Sequence, residues 1–313
     1  MDILPTGRFI DPFTDFGFKR LFGSEPNKDL LIDFLNQIMG EERQIIDLTY
    51  NQTENFGDSD ENRKVIFDLL CTGSNGEQFI IEMQRVRQEY FKDRSLYYTS
   101  SLITQQAPKG GPKWNYNLKP VYLIGIMDFS FDETHGDQYL HRVQLMKSDT
   151  FEVFYDKLGF VFIEIPKFLK SEEELSSELD NWLFLLKNMS RLDKIPVILR
   201  KPVFSKLFNI AEVSNLTGKE KMAYDESLKI KWDNYNGMDY AIKEGRASGI
   251  KEGIKEGIKE GIKEGIKKGI KEGIKEGKEE NQKQIALAMK NKGMEISLIG
   301  ELTGLSENEI EKL

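Results

Sequence analysis

Asp68 and Glu82 are carboxylates set among large hydrophobes. Asp68 interrupts Val65-Ile66-Phe67-Asp68-Leu69-Leu70-Cys71. Glu82 sits inside Glu77-Gln78-Phe79-Ile80-Ile81-Glu82-Met83-Gln84. Placing an acid in such a run is costly unless it is paired or holds a cation. Two converging acids offer the hard oxygen ligands that Mg²⁺ or Mn²⁺ takes. Residues two apart in a strand share a face, so Gln84 lies beside Glu82. Asp68 joins them if the two runs pair as a hairpin, and the Met83 backbone carbonyl adds a further oxygen. Water bound to such an ion gives up a proton more readily and can attack a phosphodiester in line. Gln84 would orient that water or donate to a phosphate oxygen.

The elements that must position these groups follow from periodicity. Thr72-Gly73-Ser74-Asn75-Gly76 supplies turn residues between the two runs. Before them, Asn27 reads as the N-cap of a helix over 28–39, with Leu30, Leu31, Phe34, Leu35 and Ile38 at helical spacing and Gly40 as its stop. Ile45 to Tyr50 reads as a strand, and 51–63 as a polar loop. Residues 88–106 read as a helix, and Pro108 to Lys113 as a loop. Val121 to Phe129 is a nearly continuous apolar run, expected of a strand buried on both faces. A further strand is expected at Gly159 to Ile165, and helices over 172–240. The expected class is α/β, a mixed sheet flanked by helices.

Asp15 and Lys19 are four apart in the aromatic-rich segment 11–22 and share a face if it is helical. That pair is either a surface ion pair beside an aromatic anchor or a group reaching the acids. Arg94 and Tyr98, also four apart, are either site groups or a surface arginine with a core tyrosine.

Composition changes abruptly at Ile242. From there to Gly277 the chain repeats Ile-Lys-Glu-Gly, with Gly at every fourth position from Gly245. Glycine costs about 1 kcal/mol each in a helix interior. The segment is either a solvated linker or a helical stalk that oligomerises, and a period above 3.6 favours right-handed winding of a partner. Beyond it, one helix ends near Lys292-Gly293, Glu295–Leu302 forms a second, and Ser306 with Glu309 makes a capping box for a third. This outline is that of a helix-turn-helix. Yet Glu307, Glu309 and Glu311 occupy the would-be reading helix, where base recognition wants Arg, Lys, Asn or Gln. A small helical interaction module suits it better. The expected organisation is a core over 1–170, a helical extension over 171–241, the repeat over 242–280 and a helical module over 281–313.

The whole chain is acidic, with 44 Lys+Arg against 52 Asp+Glu, so no overall basic footprint for nucleic acid exists. Two histidines, His135 and His141, lie in a polar segment, which argues against a zinc site or a histidine triad. Any enzyme here works with carboxylates. The single cysteine, Cys71, is three positions from Asp68 and so on the other face of a strand, as a packing residue. No apolar run reaches membrane-spanning length and the N-terminus lacks a signal-peptide core, which points to the cytoplasm and away from membranes.

Taken in order, Asp11-Pro12-Phe13-Thr14-Asp15-Phe16-Gly17-Phe18-Lys19-Arg20-Leu21-Phe22-Gly23, the Phe67-Asp68-Leu69…Glu82-Met83-Gln84 hairpin, Tyr90-Phe91-x-x-Arg94-x-x-Tyr97-Tyr98, and Leu118-Lys119-Pro120-Val121 resemble the PD-(D/E)XK nuclease superfamily. The likeness is to its transposase-like branch, the recombination-promoting nucleases. The glycine-periodic tail and the Thr-Gly-Leu-Ser ending extend it over nearly the whole chain. The resemblance implies a restriction-endonuclease-like fold and metal-dependent cleavage of DNA, linked to recombination, mobile elements or defence. It implies Asp68 and Glu82 as metal ligands, with Gln84 in place of the superfamily's lysine. Glutamine brings a dipole where lysine brings a charge, so Arg94 or Tyr98 would supply a phosphate contact, and Asp15 would support the site. Dimerisation through the core or the repeat is the expected assembly. The competing expectation is a nuclease fold turned binding scaffold, assembled through the repeat.

Overall fold

A computed structural model describes residues 7–40, 43–52, 54–55, 65–108, 114–130 and 136–313. The segment around His135, most of the 51–63 loop and most of the 108–113 loop lie outside the described residues. The chain forms two units, Met1–Tyr235 and Asn236–Leu313.

In the first unit, α1 (Asp15–Phe22) and α2 (Lys28–Met39) precede a six-stranded mixed sheet. Its strands are β1 (Leu48–Tyr50), β4 (Leu69–Gly73), β5 (Gln78–Gln84), β6 (Val121–Met127), β8 (Val153–Glu164) and β7 (Leu140–Met146), in that spatial order. A separate two-stranded ribbon joins β2 (Glu54–Asn55) to β3 (Val65–Ile66). β4 and β5 are antiparallel, whereas β5, β6 and β8 run parallel. The parallel step from β5 to β6 is carried by α3 (Phe91–Gln105), as a parallel pair requires. α4 (Glu178–Asn188) and α5 (Pro202–Ala211) follow, and α6 (Gly218–Asn291) begins in this unit.

Strand alternation divides the sheet residues between two cores. Leu69, Cys71, Phe79, Ile81, Met83, Ile124 and Ile163 join the larger one, with α1, α2, α4 and α5. Its centre is Trp182, which is fully buried against Phe22, Phe34 and Phe204 and donates through Nε1 to Asp33 at 2.6 Å. On the other face, Leu70, Ile80, Leu123 and Phe162 pack with Phe91 and Leu102 of α3. Gly125 lets α3 come this close. A Cβ there would stand 3.0 Å from the Phe162 ring and 3.3 Å from Phe91.

Several expectations need correction. The first arm of the expected hairpin is not one strand: it bends at Asp68, and Val65–Ile66 pair with Glu54–Asn55 instead. The expected strand at Gly159 is the end of a longer strand starting at Val153, and the edge strand Leu140–Met146 was not foreseen. Most of its residues are exposed, so it lacks the apolar alternation that would announce it. Asn27 does not cap α2 through its side chain but donates to the Arg20 carbonyl at 2.8 Å. His141, read as part of a polar segment, lies on β7 against buried Glu164, with Nε2 2.8 Å from Oε1.

In the second unit, residues 242–277 lie within α6. The end of α6 packs on α7 (Ile296–Thr303) and α8 (Glu307–Glu311) around Ala286, Ile299 and Ile310. Gly304, at φ +73°, closes α7, and the Ser306/Glu309 capping box opens α8. No helix among the described residues is long and apolar enough to cross a membrane.

Candidate active site

The β4–β5 ladder runs as far as Leu69 opposite Ile81 and then stops, because Asp68 bends out of the strand. The two acids take over the backbone groups that the ladder leaves. The Met83 N–H donates to Asp68 Oδ2 at 2.7 Å, and the Asp68 N–H donates to Glu82 Oε1 at 3.2 Å. Each carboxylate thus holds the backbone of the other's strand. Gln84 shares the Glu82 face and donates through Nε2 to Glu82 Oε2 at 3.1 Å. On its other edge β5 is held by β6, where the Asp128 N–H donates to the Gln84 carbonyl at 2.8 Å. A residue's N–H and C=O leave an extended strand on the same side, so the Met83 carbonyl points toward Asp68 rather than toward β6.

Glu82 is 3% exposed. Burial pushes its carboxyl up to about 8, the negative charge of Asp68 adds to this, and the Arg94 guanidinium opposes it. Burial also raises Asp68 above the usual carboxylate range. The Met83 N–H opposes that rise, and the charges of Asp15 and Lys19 act on Asp68 in opposite directions. Asp15 and Lys19 form their own ion pair at 2.9 Å on exposed positions of α1.

From α3, Arg94 places Nη2 3.5 Å from Glu82 Oε2 and gives Nη1 to the Gln88 amide oxygen. Its guanidinium lies over the rings of Phe91 and Tyr98, at 5.1 and 5.5 Å to their centroids. Its Nε and Nη2 are buried without a hydrogen-bond partner. Tyr98 meets Phe67 edge-on at 5.2 Å, and burial raises its hydroxyl, with the charge of Glu82 contributing.

Of the seven residues singled out in the sequence, the structure brings six together, and the seventh, Asp15, acts on them only by its charge. Asp68, Glu82, Met83 and Gln84 are in direct contact, Arg94 and Tyr98 face them from α3, and Asp15 is felt from α1. Lys19, read in the sequence only as the partner of Asp15, also acts on Asp68 by its charge. Its only signal was the i,i+4 spacing to Asp15, which reads equally as a surface pair. Sequence reading missed a second charged group at the end of β6. Lys231 Nζ lies 2.6 Å from Asp11 Oδ2 and 4.0 Å from Asp128 Oδ2, while Arg85 and Arg191 act on Asp128 from nearby. These residues are far apart in sequence, and no local pattern links them.

Among the described residues no group of three or more His, Cys, Asp or Glu side chains forms a metal site. A buried and a half-buried carboxylate that repel each other, with a backbone carbonyl on the side of Asp68, still form a hard-oxygen donor set. That set fits a divalent cation completed by waters, because the cation would relieve the repulsion that lifts Glu82.

Comparison with family models matches residues 12–241 to the PD-(D/E)XK nuclease family transposase model, and the chain belongs to that family. Comparison with curated proteins and with solved structures finds no match.

Proposed function

We propose that this member of the PD-(D/E)XK nuclease family transposases is a metal-dependent DNA endonuclease, hydrolysing phosphodiester bonds in recombination, mobile-element movement or defence. The observation that carries this reading is the contact of two acids, one nearly fully buried, at a break in the ladder beside two cations. Asp68 and Glu82 would hold Mg²⁺ or Mn²⁺, with the Met83 carbonyl as a third oxygen. The bound ion supplies charge stabilisation at the phosphoryl oxygens and acidifies water. Gln84 spends its N–H on Glu82, which leaves its amide oxygen to accept from the attacking water and orient it. As that oxygen bonds to phosphorus, the water passes a proton to bulk water, the P–O bond to the leaving sugar oxygen breaks, and the leaving oxygen takes a proton from bulk water. Arg94, whose Nε and Nη2 are buried without a hydrogen-bond partner although Nη2 pairs with Glu82 at 3.5 Å, and Lys19 supply the positive charge that Gln84 lacks.

The competing reading is a silent scaffold, and the reciprocal hold of each acid on the other strand's backbone favours it, because that bond has a structural use of its own. Plasmid cleavage in Mg²⁺ or Mn²⁺ separates the two. Asp68→Asn and Glu82→Gln keep shape and much of the hydrogen bonding, so the nuclease loses about a hundredfold or more of its activity in each, on the scale of lost electrostatic catalysis. Equal cleavage by wild type and both variants would sink the nuclease reading.

A further inference from the structure

We propose that the cleft beside Arg94 is a nucleobase site, and that the DNA this chain works on is unpaired where it meets the acid pair. The inference takes its location from the nuclease reading and names the substrate class. The cleft, of about 410 Å³, is lined by Gln88, Glu89, Tyr90, Asp93, Arg94 and Tyr97. Tyr90, Arg94 and Tyr97 stand at i, i+4 and i+7 and so share one side of α3 and its N-cap. Arg94 is at the border of the buried face. The two tyrosines lie outward of it, 66% and 52% exposed.

The chemistry offered is that of a base. Two aromatic rings give sequence-tolerant stacking surfaces. Gln88 accepts from Arg94 through its amide oxygen, which leaves its amide N–H groups as donors. Asp93 adds an acceptor. The rim acids Glu89 and Asp93 disfavour a phosphate in the cleft itself, whereas Arg94 bridges from the cleft to Glu82, 3.5 Å away. A nucleotide would thus lay its base on the tyrosines with its phosphate toward Arg94 and the acids. A base inside a duplex has both faces stacked and its pairing edge covered, so only an unpaired one can bind this way.

Anisotropy of short fluorescent oligonucleotides, single-stranded and duplex of one sequence, tests this with the full chain in EDTA, where nothing is cut. The single strand binds more tightly than the duplex. Y90A/Y97A loses about tenfold or more of single-strand affinity, as loss of stacking predicts, while Y90F/Y97F retains it. Tighter duplex binding, an unchanged alanine variant or a phenylalanine variant as weak as the alanine one overturns the proposal. The readout does not need hydrolysis. Ring-dependent binding without any metal-dependent cleavage removes the nuclease reading and leaves the base site standing. Cleavage that needs Asp68 and Glu82, with binding indifferent to the tyrosines, does the reverse and marks them as a protein-docking face.

Discussion

Glu82 is where charge and fold oppose each other most directly. Burial, with the charge of Asp68 beside it, pushes its carboxyl up to about 8 from the ordinary glutamate value of 4.5. The folded state therefore binds a proton that the unfolded state has lost between those values, and stability falls as pH rises across that window. Thermal melts without metal would show Tm decreasing from about pH 5 to about pH 8. Glu82→Gln cannot ionise, so it flattens that slope and melts higher than wild type at pH 8; a variant as pH-sensitive as wild type would refute this origin. Mg²⁺ added at pH 8 raises Tm in wild type and not in the variant, since a ligand that binds only the folded state stabilises it. At the cations, Lys19→Ala and Arg94→Ala differ in kind. Lys19 is exposed, so its loss lowers cleavage and leaves the melt unchanged, whereas Arg94 also packs on Phe91 and Tyr98 and lowers both. An acid inside an apolar run can be seen in a bare sequence because desolvation makes it anomalous, which is why Asp68 and Glu82 were legible. Lys19 was not, because a solvent-exposed lysine carries no such anomaly.

The elements show the same divide. The strand β6 could be read from its continuous apolar run, and α3 as a helix between strands from its mixed apolar spacing. The bend at Asp68 could not, since it depends on side chains replacing a ladder bond across two strands. Nor could the role of Gly125, which pairs with Glu82 and lies under Phe91. Gly125→Ala would crowd Phe91, the residue that supports Arg94, costing about 1–3 kcal/mol in urea unfolding and weakening cleavage more than stability alone explains. An unchanged midpoint would show that the ring yields freely. In α6, each four-residue repeat turns about 40° past a full helical turn and rises about 6 Å. The stripe of isoleucines from Ile250 to Ile274, each 55–58% exposed, therefore winds around the helix at a pitch of about 54 Å. A two-stranded coiled coil winds over about 140–210 Å, far too slowly to follow such a stripe. Of the two alternatives left open by the sequence, a spacer fits this geometry better than an oligomerisation seam. Deleting 246–277 would then leave the mass per particle, corrected for the missing residues, unchanged in light scattering; a drop from dimer to monomer would restore the stalk.

For the whole chain, the nuclease proposal has an acidic protein of net charge −8 engaging a polyanion. A protein that binds DNA through a broad basic face loses affinity steeply with salt, in proportion to the phosphates it neutralises. Among the described residues, the charges that act on the acid pair from nearby are Arg94 on α3, 3.5 Å from Glu82, and Lys19 on α1, and the net negative charge opposes a polyanion. On the nuclease and base-site proposals, affinity would then come from stacking, from a cation between Asp68 and Glu82 when one is bound, and from about two phosphate contacts. For a single strand, two contacts give a slope of about −1.4 in log affinity against log salt, and screening of the overall repulsion makes it shallower still. Anisotropy across a NaCl series in EDTA measures this. A slope near −1 agrees with a site that grips one or two nucleotides, and Arg94→Ala brings it closer to zero. A slope of −4 or steeper would mean an extended basic track that Arg94 and Lys19 do not form, and would move the DNA path away from the acid pair.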